Sequence, residues 1–266
     1  MHITSRDNSL LRQARAVRDG KTKDLIFIEG LRLCEEAFRS KLPIESIIYS
    51  KQLAKKERAA AVIEQLAGVA KRAASVSEKL LESISYTKTP QGIVALAKRP
   101  ESSEAVLSNL GDRPLLVVMH QINNPVNVGA IIRTAEAAGA SAAIATLNTS
   151  DPFSPKALRG AMGSAFRLPI WVGATYEGII SWCRKRNIET VCADADSKLS
   201  FTEIDWTPSR ALIVGPESLG LSPTEIETAD QCVQIPMKGS VESLNVSVAT
   251  GILLFEAARQ RQKQRS

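Results

Sequence analysis

Leu115-Leu-Val-Val-Met119 and Ala211-Leu-Ile-Val214 are runs without a polar side chain, each followed by a stretch that places Gly, Asn or Glu where a strand should stop. Strands apolar on both faces are buried on both, which calls for helices above and below a parallel sheet. Ala142 to Ala145, Glu189 to Ala193 and the shorter Pro169-Ile-Trp171 read as further strands of that sheet. Helices are predicted after Asn123, ending at Gly139, and over residues 176–187. Ligands of open α/β sheets bind beyond the strand ends, so the polar groups there carry the functional reading.

Three such stretches share one design: Asn123 to Gly139, Ile213 to Gly220, and Ile235 to Arg259. In the last, Pro236 and Gly239 punctuate a loop, Ser243 and Asn245 suit a helix opening, and Val246 begins a long apolar helix. The chain lacks the G-x-G-x-x-G turn of a dinucleotide fold; Gly129 is a single glycine in a helix opening. Cys34, Cys183, Cys192 and Cys232 show no CxxC spacing and the only histidines are His2 and His120, so no metal site is expected and the thiols read as reduced.

In this order and spacing, the three stretches resemble the motifs of the SpoU (TrmH-type) RNA ribose 2′-O-methyltransferases of the SPOUT superfamily. The resemblance implies a parallel-sheet α/β domain over residues 113–266 with a deep trefoil knot at about 210–250. It implies S-adenosylmethionine as cofactor, held by Gly215, Glu217, Ile235, Met237, Leu244 and Asn245. The catalytic positions it implies are Arg133, Asn127, Glu217, Ser243 and Asn245. The family proposal makes Arg133 a proton acceptor, but a guanidinium stays protonated and has no acceptor. Phosphate clamping and stabilisation of developing alkoxide charge suit it better, with the final acceptor left open. For Glu217 a structural role weighs as much as a catalytic one, and Asn245 can act simply as a helix cap.

The first part of the chain is of a different character. Residues 1–111 hold 19 Lys+Arg against 13 Asp+Glu, while residues 112–266 hold 15 of each, so the net charge of +6 resides in the first part. A basic unit beside a neutral one suggests a polyanion-binding domain attached to a chemical one. A helix over residues 4–20, capped by Thr4, Ser5 or Asp7, presents Arg12, Arg15 and Arg18 away from Leu10, Leu11, Ala14 and Val17. Those arginines, with Arg159, are the candidate RNA contacts; a solvated helix face would look the same.

Alternating short strands and helices from Leu25 to Ala97 imply a smaller α/β sandwich. Glu29-Gly30 and Thr89-Pro90-Gln91-Gly92 resemble the ribosomal-protein-like substrate-binding domain that precedes many SpoU domains. Residues 1–97 are thus expected to bind RNA and 98–112 to form a polar linker. The small residues Gly160 to Ser164 read as close backbone packing. Ribosomal RNA is the expected substrate; transfer RNA, or a non-catalytic RNA-binding or ribosome-assembly role, is the alternative.

The apolar final helix, with Val248, Ile252 and Phe255 on one stripe, implies a homodimer within the resemblance, and the basic tail from Arg259 is expected to fray. With no apolar leader and no run of about twenty apolar residues, a cytoplasmic protein without a membrane span is expected. Nothing in the sequence fixes the nucleotide, or separates housekeeping from antibiotic-resistance modification.

Overall fold

The structure, a computed structural model, describes residues 1–216, 219–240 and 243–263. Two compact units are present: Met1–Pro100 with Phe153–Arg167, and Glu101–Pro152 with Leu168–Ser266.

The first unit opens with α1 (Ser9–Arg18), which is shorter than its periodicity suggests because Asn8 is the cap: its side chain accepts the Leu10 N–H, and residues 4–8 stay outside the helix. Leu10, Leu11, Ala14 and Val17 are buried as the spacing predicts. There follow β1 (Leu25–Glu29), α2 (Leu31–Arg39), β2 (Ile44–Ser50), α3 (Glu57–Val69), β3 (Arg72–Val76), α4 (Glu78–Glu82) and β4 (Ile93–Lys98). The strands align in the order β1-β4-β2-β3, with only β2 and β3 parallel.

Glu29, at the end of β1, is buried because its carboxylate has three donors: the Tyr86 and Thr87 N–H groups at 2.9 and 3.2 Å and the Thr87 hydroxyl at 2.8 Å. A hydrogen bond to a charged group contributes about 1.5–3 kcal/mol. Glu29→Ala is therefore expected to lower the unfolding free energy by about 3 kcal/mol. Urea denaturation checks this, and a loss below about 0.5 kcal/mol, the level of an ordinary surface change, would contradict it.

The second unit starts with a 3₁₀ turn, Glu104–Leu107, inside the polar stretch 98–112; Leu107 is buried and Glu104 accepts the Trp182 indole N–H. Next come β5 (Leu115–Met119), α5 (Pro125–Ala137) and β6 (Ala142–Thr146). The chain then runs through Phe153–Arg167 of the first unit, containing α6 (Pro155–Ala161). There Gly163 has φ +97°, and a Cβ on it would lie 2.8 Å from the Glu36 Cβ, which is the close packing expected of the small residues. Arg167 pairs with Glu36 at 2.7 Å, and the Arg99 guanidinium lies 4.6 Å from the Phe153 ring centroid.

Back in the second unit lie β7 (Ile170–Ala174), α7 (Tyr176–Arg184), β8 (Glu189–Ala193), β9 (Arg210–Val214), α8 (Pro223–Thr228), β10 (Gln231–Val233) and α9 (Val246–Lys263). Among the described residues its sheet has six strands, all parallel, in the order β10-β8-β9-β5-β6-β7. The predicted apolar runs β5, β6 and β9 are its centre, buried at every position.

The basic tail does not fray over its described part. α9 continues to Lys263, Arg259 pairs with Glu256, and Arg261 donates to the carbonyls of Trp206 at 2.8 Å and Arg113 at 2.7 Å. Gln260 accepts the Trp206 N–H at 2.9 Å. No helix of the described residues is long and apolar enough to cross a membrane.

Candidate active site

At the carboxyl ends of β8, β9 and β10 a cavity of about 550 Å³ opens. That size lies within the roughly 300–1,000 Å³ of small-molecule sites. Its walls are Ala193 to Asp196 after β8, Val214, Gly215, Pro216, Leu219 and Gly220 after β9, and Val233, Ile235 and Met237 from β10 onwards. Ser243, Leu244, Asn245, Val246 and Ala249 close it from the opening of α9. Gly215, Ile235, Met237, Ser243, Leu244 and Asn245, all singled out in the sequence, thus come together. Glu217 lies outside the described residues.

Gly215 is required by space. A Cβ there would sit 2.8 Å from Leu221 Cγ and 3.0 Å from the Leu221 backbone nitrogen. Asn245 caps α9 by accepting the Ser247 N–H at 3.0 Å, so its predicted capping role is real. Its Nδ2 also donates to Asn127 Oδ1 at 3.2 Å, joining the opening of α9 to that of α5. Asn127 is 6% exposed and lies on the first turn of α5, which Asn124 caps and Pro125 starts. Farther along α5, Arg133 is exposed, and the next residue, Thr134, packs where a Cβ on Gly251 of α9 would meet its Cγ2 at 3.4 Å.

A polar cluster stands at the same sheet edge. His120, 4% exposed just past β5, places Nε2 2.8 Å from the Glu225 carboxylate and Nδ1 3.2 Å from the Thr146 hydroxyl. Glu225 also completes a capping box with Ser222. Burial pushes the Glu225 carboxyl up, but the Ser222 N–H, its hydroxyl and His120 outweigh that and hold it below the usual range. Tyr176, pushed up to about 12 by burial, donates to the Glu225 carbonyl at 2.7 Å. Together these bonds fix α8, the element that follows the Gly215 to Gly220 wall.

The sequence reading missed Asp194 and Asp196. The available signal was their position directly after a predicted strand. Asp194 accepts the Asp196 N–H at 2.9 Å, and no Lys or Arg lies among the described cavity residues. Of the four candidate RNA contacts, Arg12 and Arg159 are exposed. Arg15 donates to the Arg6 carbonyl, and Arg18 to Asp19 and to the Ser83 and Ser85 carbonyls. Those two are thus held in place by their own unit.

A parallel α/β unit with a cavity beyond the carboxyl ends of its strands, walled by apolar side chains and two aspartates, is of the class that binds a small-molecule ligand there. The SpoU rRNA Methylase family profile matches residues 114–255, and that of the MRM3-like substrate binding domain residues 9–95. The 23S rRNA (guanosine-2′-O-)-methyltransferase RlmB of Bordetella pertussis is 32% identical over 218 residues, 81% of this chain and 89% of the relative. The 23S rRNA (guanosine(2553)-2′-O)-methyltransferase RlmP of Bacillus subtilis is 30% identical over 236 residues, 88% of this chain and 89% of the relative. A crystal structure of an AdoMet-bound rRNA methyltransferase from Sinorhizobium meliloti superposes with a TM-score of 0.83 at 30% identity, covering 97% of each chain. The chain belongs to the SpoU rRNA methylase family. It is an RNA ribose 2′-O-methyltransferase that uses S-adenosylmethionine.

The residues present fit that cofactor. Val214, Val233, Ile235, Leu244 and Val246 offer apolar walls for an adenine, and Asp194 and Asp196 suit a ligand whose sulfonium and ammonium outweigh its one carboxylate.

Proposed function

We propose that the substrate is ribosomal RNA, held by the first unit while the second transfers the methyl group. The match of residues 9–95 to a substrate-binding domain and the excess of basic residues over 1–111 support this division. Exposed Arg12 and Arg159 are the proposed phosphate contacts. The domains are read as 1–97 and 113–266, with the turn Glu104–Leu107 seated on the second.

The carrying observation is the Asn127–Asn245 hydrogen bond, which joins the helix bearing Arg133 to a cavity-lining residue. S-adenosylmethionine supplies an electrophilic methyl group on a sulfonium. Asp194 and Asp196 would meet its positive charge, Ile235, Met237 and Leu244 would hold the adenine, and Gly215 would leave it room. Asn127, Ser243 and Asn245 orient the ribose. Arg133, exposed on α5, clamps the neighbouring phosphate and donates to the 2′-oxygen as it gains negative charge.

A deep trefoil knot over about 210–250 and a homodimer complete the proposal. Family membership supports the first. Val248 and Phe255 of α9 and Val126 of α5, 51%, 52% and 44% exposed, support the second. The cytoplasm, where ribosomal RNA resides, is the proposed location.

Methyl transfer from labelled S-adenosylmethionine to separated ribosomal and transfer RNA, followed by mapping of alkali-resistant dinucleotides, tests this function. A resistant linkage in ribosomal RNA is expected. One found only in transfer RNA would overturn the substrate, and donor binding without transfer to naked RNA or ribosomal particles would favour a non-catalytic RNA-binding role.

A further inference from the structure

Parallel strands β8 and β10 pair Cys192 with Cys232 in direct register, between Val191 with Gln231 and Ala193 with Val233. Residues in register on neighbouring parallel strands point to the same face, and both thiols pack against the cluster of Cys183, Ile213 and Leu221. Neighbouring strands are about 4.7–4.9 Å apart, inside the roughly 4.4–6.8 Å between Cα atoms that a disulfide spans. The in-register pairing makes the two thiols direct neighbours across the strands. Cys192 is fully buried, whereas Cys232 is half-buried on a strand at the edge of the sheet, where a small oxidant can reach it.

The environments of the two sulfurs differ as a reactive pair requires. The neighbouring Cys192 thiol holds the Cys232 thiol below its ordinary range against the opposing effect of burial. The neighbouring Cys232 and burial push the Cys192 thiol up. The Ser197 hydroxyl also donates to the Cys232 carbonyl at 2.7 Å, fixing that backbone. Ala193 and Val233, the next residue on each strand, both line the cavity.

We propose that Cys192 and Cys232 form a redox-active dithiol, closed by a peroxide into an intramolecular disulfide that weakens binding in the adjoining cavity. The Cys232 thiolate attacks one peroxide oxygen; the O–O bond breaks, leaving a sulfenic acid and releasing hydroxide, which takes up the thiol proton as water. The Cys192 sulfur then displaces the sulfenic oxygen as a second water and forms the S–S bond. Two thiols lose two protons and two electrons, and the peroxide gains them. The effect on binding rests on reading the cavity as the methyl-donor site; the disulfide does not.

The test treats the full-length protein with hydrogen peroxide, maps peptides without reduction, and titrates S-adenosylmethionine calorimetrically before and after. A mass loss of about 2 Da, a Cys192–Cys232 peptide and about tenfold weaker donor binding, reversed by dithiothreitol, are expected. Cys232→Ser and Cys192→Ser should each retain donor affinity after peroxide. Four thiols still open to alkylation, a sulfinic acid at Cys232, or a disulfide with unchanged affinity would overturn the proposal. Failure of the reduced protein to bind donor would refute the cavity assignment instead, and the peptide map would still decide whether the disulfide forms.

Discussion

Arg133→Ala is expected to lower kcat by about 10²–10³, the usual cost of removing one donor aimed at developing charge. The Kd for S-adenosylmethionine should stay within about twofold, because an interaction made only in the transition state leaves ground-state binding intact. Arg133 is exposed on α5 and is not among the cavity-lining residues, whereas Asn127 one turn and a half earlier is tied to them. Single-turnover transfer to ribosomal RNA, beside calorimetric donor titration, separates the two quantities. A large loss of donor affinity would move Arg133 from the RNA side of the reaction to the cofactor side.

Gly215→Ala is expected to act in the opposite sense, on the donor first. The added Cβ would meet Leu221 at Cγ and at the backbone nitrogen, 2.8 and 3.0 Å away, and a backbone atom cannot yield as a side-chain tip can. Overpacking of this kind costs about 1–3 kcal/mol. Leu221 stands beside Ser222, and the Ser222 capping box and the His120–Glu225 pair hold α8 in place, so the displacement falls on the cavity wall instead. Donor affinity should fall by about tenfold or more. Calorimetry on the folded variant decides, and unchanged affinity would show that the wall gives way without cost.

The parallel sheet was legible because its central strands are apolar runs, and Leu115–Met119, like the more peripheral Glu189–Ala193, has the predicted bounds. Strand ends fixed by pairing extended past their apolar cores, as in Ile44–Ser50 and Ile170–Ala174. The helix at Pro223–Thr228 and the strand Gln231–Val233 escaped notice, since six and three residues hold too little periodicity to register.

Within the site, Gly215, Met237 and Asn245 were legible from their loops, but Asp194 and Asp196 acquire meaning only when β8 lies beside β9 and β10. In the first unit the fold adds partners that periodicity does not show. Arg15 and Arg18 have the spacing of a ligand-facing stripe, and only the fold brings carbonyls of residues 6, 83 and 85 to them. Asn8 won the cap from earlier polar residues because its side chain reaches the Leu10 N–H.

The last helix is a strut between two distant fixtures. Its first turn forms part of the cavity through Val246 and Ala249, and its last is latched to Trp206 by Gln260 and Arg261. Eighteen residues span about 27 Å. A substitution at the latch can slide or tilt the strut as a whole and so alter the shape of a site it never touches. For anyone selecting variants with retuned donor affinity, the far end of α9 is therefore a control point that leaves every cavity residue unsubstituted.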